Sequence, residues 1–168
     1  MFSLNNKVKT MTIAVNDKIP AVSLKVFGEQ GPEDVTTDAL FSGKKVVLFA
    51  VPGAFTPGCS RTHLPGFVAL ASEIKAKGVD SIICMSVNDA FVMDEWGKAH
   101  NADELTMLAD GNAEFAKALG LELDASGHGM GIRSKRFALI ANDGVVEHLN
   151  VDVKGIDVSS AENTLSLL

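Results

Sequence analysis

Cysteine is scarce in this chain, with two residues among 168. That is too few for a disulfide framework, so a reducing compartment such as the cytoplasm is expected, with organelle residence left open. Positive charge is short as well. Fifteen Lys and Arg stand against 21 Asp and Glu, for a net charge of −6 and a pI near 5.1. There is no basic stripe for a phosphate backbone, and nucleic acid is not an expected partner. No apolar run approaches the roughly 20 residues that span a bilayer, so no membrane partner is expected either. Met1 to Thr10 carries Lys7 and Lys9 but neither an apolar core nor an arginine. It reads as a loose extension, reaching to about residue 12, rather than a signal or transit peptide. Repeats, low-complexity tracts and linkers are also missing, and the glycine-rich stretch 127–131 is too short to divide domains. A hydrophobic content of 46% suffices for one core, so residues 1–168 are expected to form a single domain.

Strand-like runs occur at Val46 to Val51, Ser81 to Val87, Thr106 to Ala109, Phe137 to Ala141 and Val145 to Val151. Helical patterns separate them at Ser60 to Lys77, Ala90 to His100 and Ala113 to Leu119. This alternation predicts an α/β fold with a central sheet flanked by helices. Asn142-Asp-Gly144 between the last two strands is a tight-turn sequence, because Asp-Gly tolerates positive φ, and an antiparallel pair there makes the sheet mixed. Val158 to Glu162 opens a final helix, with Ser159 read as its cap and Glu162 as the capping-box partner.

The most informative segment is Val51 to Gly66, where an apolar strand ends in Pro52-Gly-Ala-Phe-Thr-Pro-Gly-Cys59 and a helical pattern begins. Its glycine spacing is that of a phosphate-binding loop, but Cys59 stands where the essential lysine would be and Pro57 removes a backbone donor. A thiol phosphatase would need an arginine about six residues on, where Pro65 stands, and a dithiol oxidoreductase a second cysteine at Thr62. A solitary thiolate remains. Free amide N–H groups and the helix dipole favour a thiolate at a helix start.

The neighbouring residue types suit a peroxide as electrophile. Thr56 can accept from the peroxide hydroxyl and donate towards sulfur, the N–H groups of Gly58 and Cys59 can bind oxygen, and Pro52 offers a donor-free apolar wall. Lowering a cysteine pKa from about 8.5 to about 6 takes roughly 3.4 kcal/mol, and a helix terminus contributes up to about 2. A cation must supply much of the rest.

Pro52 to Cys59 followed by Thr62-His-Leu-Pro-Gly-Phe67, with Ser86-Val-Asn-Asp-Ala-Phe91, Glu95-Trp96, Leu108-Ala-Asp110 and Lys135-Arg-Phe137, resembles the atypical type II peroxiredoxins, the peroxiredoxin-five subfamily. The resemblance runs from about Val15 to the C-terminus. It implies a thioredoxin-like fold with an N-terminal hairpin extension, and reduction of hydrogen peroxide and organic hydroperoxides without a cofactor or metal. Position by position, Cys59 matches the peroxidatic cysteine, Thr56 the active-site threonine, Pro52 the shielding proline and Arg136 the arginine that completes the site. Arg133, three residues earlier, falls on the opposite face from Arg136 if the segment is one strand. His63 is expected to pack or hydrogen-bond rather than act as a base. His100, His128 and His148 are too scattered for a metal site. Phe55, Phe91 and Trp96 read as core or apolar rim, part of which the family places at a homodimer interface.

The same resemblance bears on recycling of the sulfenic acid. The family's animal members carry a resolving cysteine near the C-terminus, but Asp157-Val-Ser-Ser160 contains none. Cys84 sits in an apolar strand pattern and reads first as a buried core cysteine, second as a resolving thiol. A Cys59–Cys84 disulfide would require the first helical turn to unwind. The plant and bacterial members resembled most are recycled by glutathione and glutaredoxin, some by thioredoxin. The alternative reading is a peroxide-sensing relay or holdase without significant turnover.

Overall fold

A computed structural model describes residues 11–168. The expected loose extension therefore lies outside the described residues up to residue 10. The first buried anchor is Ile13, whose N–H donates to the Leu119 carbonyl at 2.9 Å.

The chain forms β1 (Ser23–Gly28), β2 (Gly31–Thr36), α1 (Thr37–Phe41), β3 (Lys45–Val51), a π-helical turn (Cys59–His63) leading into α2 (Leu64–Ala76), β4 (Ser81–Ser86), α3 (Ala90–Ala99) and β5 (Thr106–Ala109). There follow α4 (Glu114–Leu119), β6 (Glu122–Asp124), β7 (Ile132–Ser134), β8 (Arg136–Asn142), β9 (Val145–Asp152) and α5 (Ala161–Ser166). Seven strands make one sheet in the order β2-β1-β5-β4-β3-β8-β9, with β6 and β7 a separate small hairpin. Strands β3, β4 and β5 run parallel and the other pairs antiparallel, so the sheet is mixed.

The parallel centre explains the continuous apolar runs. A strand with helices on both faces has no wet side, and Val46 to Val51 are all fully buried. Alternate residues divide between two cores. Val47, Phe49, Val51, Ile82 and Cys84 pack with α2 and α3, whereas Val46, Leu48, Ala50, Ile83 and Met85 pack with Phe115 and Leu119 of α4. Asp143 and Gly144 take φ of 50° and 76° in the two-residue turn between β8 and β9, as the Asp-Gly sequence requires.

Two local expectations are corrected. The cap of α5 is Ser160, whose side chain accepts from the Asn163 N–H; Ser159 is turned inward and donates its hydroxyl to Asp152 at 2.6 Å. The segment from Arg133 to Arg136 is not one strand, because β7 pairs only with β6 while β8 enters the main sheet beside β3. The alternation argument for Arg133 therefore does not apply.

Candidate active site

Strand β3, in the interior of the sheet, delivers the chain to its C-terminal end at Val51, and the loop from Pro52 to Thr56 turns it back into a helix. The N–H of Ala54 donates to Asn88 Oδ1 at 3.0 Å, and Asn88 is itself held by the Ser86 hydroxyl, so the end of β4 braces the loop. Arg133 is half-buried and holds the loop from the other side, its Nη1 donating to the Pro52 carbonyl at 3.2 Å and its Nε to the Met130 carbonyl at 2.9 Å. A Cβ on Gly53 would lie 2.9 Å from that Nη1 and 3.1 Å from Thr56 Cγ2, so any larger residue there would push the guanidinium off the loop. Arg133, expected only to face away from Arg136, is thus a clamp on the Cys59 loop. A signal was present in the Arg-x-x-Arg spacing, but its meaning depended on the small β6–β7 hairpin, which no periodicity revealed.

Phe55 adopts φ 65°, a left-handed conformation costly for an aromatic residue; the residue is 56% exposed and its ring lies 6.5 Å from that of Trp96. Ser60 donates its N–H to the Thr56 carbonyl at 2.9 Å, opening the helix at Pro57. The register then widens. Leu64 donates to the Cys59 carbonyl five residues back, and Pro65 has no N–H for the carbonyl of Arg61, so a five-residue π turn precedes α2. Cys59 is the first residue of that turn.

The Cys59 residue is only 1% exposed. Arg136, the first residue of β8, reaches it from 77 positions downstream: Nη2 donates to Sγ at 3.2 Å, and Nη1 donates to His63 Nδ1 at 2.8 Å. Strand pairing of β8 with β3 brings the two together. Gly58 is αR and exposed, and a methyl there would make ordinary contacts, so the backbone there does not depend on glycine's conformational freedom. Thr56 is half-buried, and its hydroxyl donates to the Gly53 carbonyl at 2.7 Å. This corrects the expected donation towards sulfur: the proton goes to Gly53, leaving the oxygen lone pairs to accept. Pro52 is half-buried beside these groups. A cavity of about 350 Å³ touches Pro52 and Arg136, with Leu123, Val151 and Val153 as apolar wall, but neither Cys59 nor Thr56.

His63 is buried, its ring tilted against the stacked pair of Phe49 and Phe67 with centroids 5.0 and 5.7 Å away. Burial lowers its pKa from 6.5 to about 4, with the Ser159 carbonyl opposing, Arg136 assisting and Asp152 opposing. It is neutral at pH 7. Its Nε2 lies 2.8 Å from the Ser159 carbonyl, which can only accept, so Nε2 carries the hydrogen and Nδ1 offers a lone pair to Arg136. A base role would require that lone pair, which is already engaged. Between about pH 6.5 and 4 the unfolded chain binds a proton at His63 that the folded one refuses. Stability is therefore expected to fall with decreasing pH, by about 3 kcal/mol from this group, and His63→Leu to flatten that slope in denaturant unfolding measured from pH 7 to 4.

Cys84 is fully buried on β4, opposite Phe49, in the same apolar cluster as Cys59. Burial pushes its thiol well above the usual range, with Cys59 adding to the effect. Both cysteines are free.

Residues 14–165 match the Redoxin family model. The chain is 52% identical over 165 residues to the chloroplastic peroxiredoxin-2E-2 of Oryza sativa subsp. japonica, covering 94% of this chain and 73% of the relative. It is 48% identical over 159 residues to peroxiredoxin-2B of Arabidopsis thaliana, covering 93% and 98%. Reduced Prx3 of Vibrio vulnificus in complex with hydrogen peroxide is 54% identical and superposes with a TM-score of 0.90, over 93% of this chain and 99% of that one. A cysteine held by an arginine at the start of a helix, on a sheet of this topology, agrees with those likenesses: the chain belongs to the Redoxin family and is a thiol-dependent peroxidase of the type II peroxiredoxin group.

Proposed function

We propose that Cys59 is the peroxide-reactive thiol of a single-domain, one-cysteine-type peroxidase that returns to its resting state through glutathione and glutaredoxin, with thioredoxin as the other candidate reductant. The observation that carries this reading is the Arg136 guanidinium at 3.2 Å from Cys59 Sγ. A buried sulfur beside a cation and at a helix start is a site for negative charge.

In the first step the Cys59 thiolate attacks the distal oxygen of a hydroperoxide. A sulfur–oxygen bond forms, the O–O bond breaks, and the departing alkoxide or hydroxide takes a proton, leaving the sulfenic acid and an alcohol or water. Arg136 and the amides of Gly58 and Cys59 bind the polarising oxygens, Thr56 accepts from the peroxide hydroxyl, and Pro52 keeps water from the reacting face. In the second step the glutathione thiolate attacks the sulfenic sulfur, the S–O bond breaks, and the displaced hydroxide takes a proton from solvent to leave as water, giving a mixed disulfide. A glutaredoxin thiolate then attacks the glutathione sulfur and releases the Cys59 thiolate, and a second glutathione thiolate attacks the glutaredoxin mixed disulfide, freeing glutaredoxin and forming oxidised glutathione.

Cys84 takes no part in this cycle. A fully buried thiol held in its protonated form is a poor nucleophile. The exposed rings of Phe55 and Phe91 support a homodimer with an apolar rim beside the site, and a reducing compartment such as the cytoplasm suits a free reactive thiol.

Mass spectrometry after one equivalent of hydrogen peroxide, then glutathione, tests the recycling route. A single glutathione adduct on Cys59 is the expected product, with a Cys84→Ala variant giving the same adduct. A Cys59–Cys84 linkage, or loss of glutaredoxin-dependent turnover in Cys84→Ala, would reassign the second cysteine.

A further inference from the structure

The hydrogen bonds around Cys59 do not stop at Arg136 but return to it. Arg136 holds His63, and His63 donates to the Ser159 carbonyl. Ser159 is fully buried and tied to Asp152 twice, through its N–H at 2.9 Å and its hydroxyl at 2.6 Å. Asp152 also accepts from the N–H groups of Asp157 at 2.9 Å and Val158 at 3.2 Å, so both carboxylate oxygens are engaged by one three-residue loop. On the sheet, Asp152 of β9 is the register partner of Arg136 on β8. The backbone of Arg136 and its guanidinium are thus joined by a closed ring of contacts.

We propose that Asp152 and Ser159 are positioning residues for the oxidation of Cys59, acting through His63 on the Arg136 guanidinium. This rests on the reading of Cys59 as the peroxide-reactive thiol. The cap of α5 is supplied by Ser160, so the Asp152–Ser159 pair is not needed to start that helix. What the pair does fix is the direction of the Ser159 carbonyl. That carbonyl selects the Nε2–H form of the imidazole and so leaves Nδ1 as an acceptor for Arg136. With the carbonyl turned away, the ring can present an N–H to the guanidinium, donor against donor, and the fork that also reaches Sγ loses its second support. A positioning effect of this kind travels along identifiable bonds, and removing the middle of the chain must silence its far end.

The test is a double-mutant cycle on single-turnover oxidation by hydrogen peroxide. Asp152→Asn is expected to slow oxidation about tenfold and Ser159→Ala about threefold, each by less than about twofold in a His63→Leu background. In parallel, ¹⁵N imidazole spectra at neutral pH are expected to show the Nε2–H tautomer at His63 in the native chain and a tautomer mixture in Asp152→Asn. Equal losses in both backgrounds, or an unchanged rate in Asp152→Asn, would overturn the proposal. Ser159→Ala runs through the same cycle if Asp152→Asn does not fold. Oxidation that persists in Cys59→Ser would instead refute the underlying assignment of the thiol.

Discussion

Cys59→Ser is expected to lose peroxide-dependent turnover by about 10⁴-fold or more, to the level of the uncatalysed reaction. A serine hydroxyl cannot form a sulfenic acid, and it stays protonated at neutral pH, so neither the nucleophile nor the intermediate survives. Cys84 offers no substitute, being fully buried with its thiol pushed upward by that burial. The substitution is nearly isosteric, and a hydroxyl can still accept from Arg136, so the thermal midpoint should shift little. Peroxide consumption with glutathione and glutaredoxin, followed beside a melting curve, separates lost chemistry from lost fold. A variant that melts normally and still consumes peroxide would show that Cys59 is not the reacting group.

Arg136→Gln is the second large effect. A hydrogen bond to a charged group contributes about 1.5 to 3 kcal/mol, so oxidation of Cys59 should slow roughly 10- to 150-fold. The guanidinium serves two acceptors at once, Sγ and His63 Nδ1. Lysine has one ammonium on a flexible stem and cannot reproduce that fork, so Arg136→Lys should recover only part of the rate. Neither variant can serve Sγ and the buried His63 Nδ1 together as the fork does, and where Nδ1 loses its donor the expected cost is about 1 to 3 kcal/mol of stability. The loss should fall on the oxidation step measured by stopped flow, with little change in reduction of a preformed glutathione adduct. Equal slowing of both half-reactions would point to a general distortion instead.

The parts of the molecule that could be read in advance are those governed by local pattern. Val46 to Val51 announces a doubly covered strand because every residue is apolar, and Asp143-Gly144 announces a turn because few other pairs tolerate its φ angles. The need for a cation beside the thiol is legible for a chemical reason, since a thiolate at a helix start lacks enough stabilisation without one, but that Arg136 supplies it came from resemblance alone. Long-range choices were not legible. Ser159 and Ser160 are equivalent as candidate caps until Asp152, on another strand, takes the first of them. Arg133 could not be placed because its hairpin has three-residue strands, too short to show a period. The hydroxyl of Thr56 was assigned towards sulfur on chemical grounds, whereas the nearby Gly53 carbonyl takes its proton. The N-terminal hairpin was likewise invisible to periodicity, because β2 reads Gly-Pro-Glu-Asp-Val-Thr, and only resemblance supplied it.

Trp96 provides the most direct readout of the central claim. It is the single tryptophan, fully buried, and its Nε1–H donates to the hydroxyl of Ser60, the residue after Cys59, at 3.0 Å. Mixing the reduced protein with micromolar hydrogen peroxide in a stopped-flow fluorimeter, with dimedone trapping of the product, reports the rate and the site of oxidation together. The expected result is rapid, saturating oxidation of one thiol per chain, located at Cys59. Slow oxidation at the rate of free cysteine, with no preference for Cys59, would contradict a peroxidase and favour a protein that senses peroxide or binds clients after oxidation.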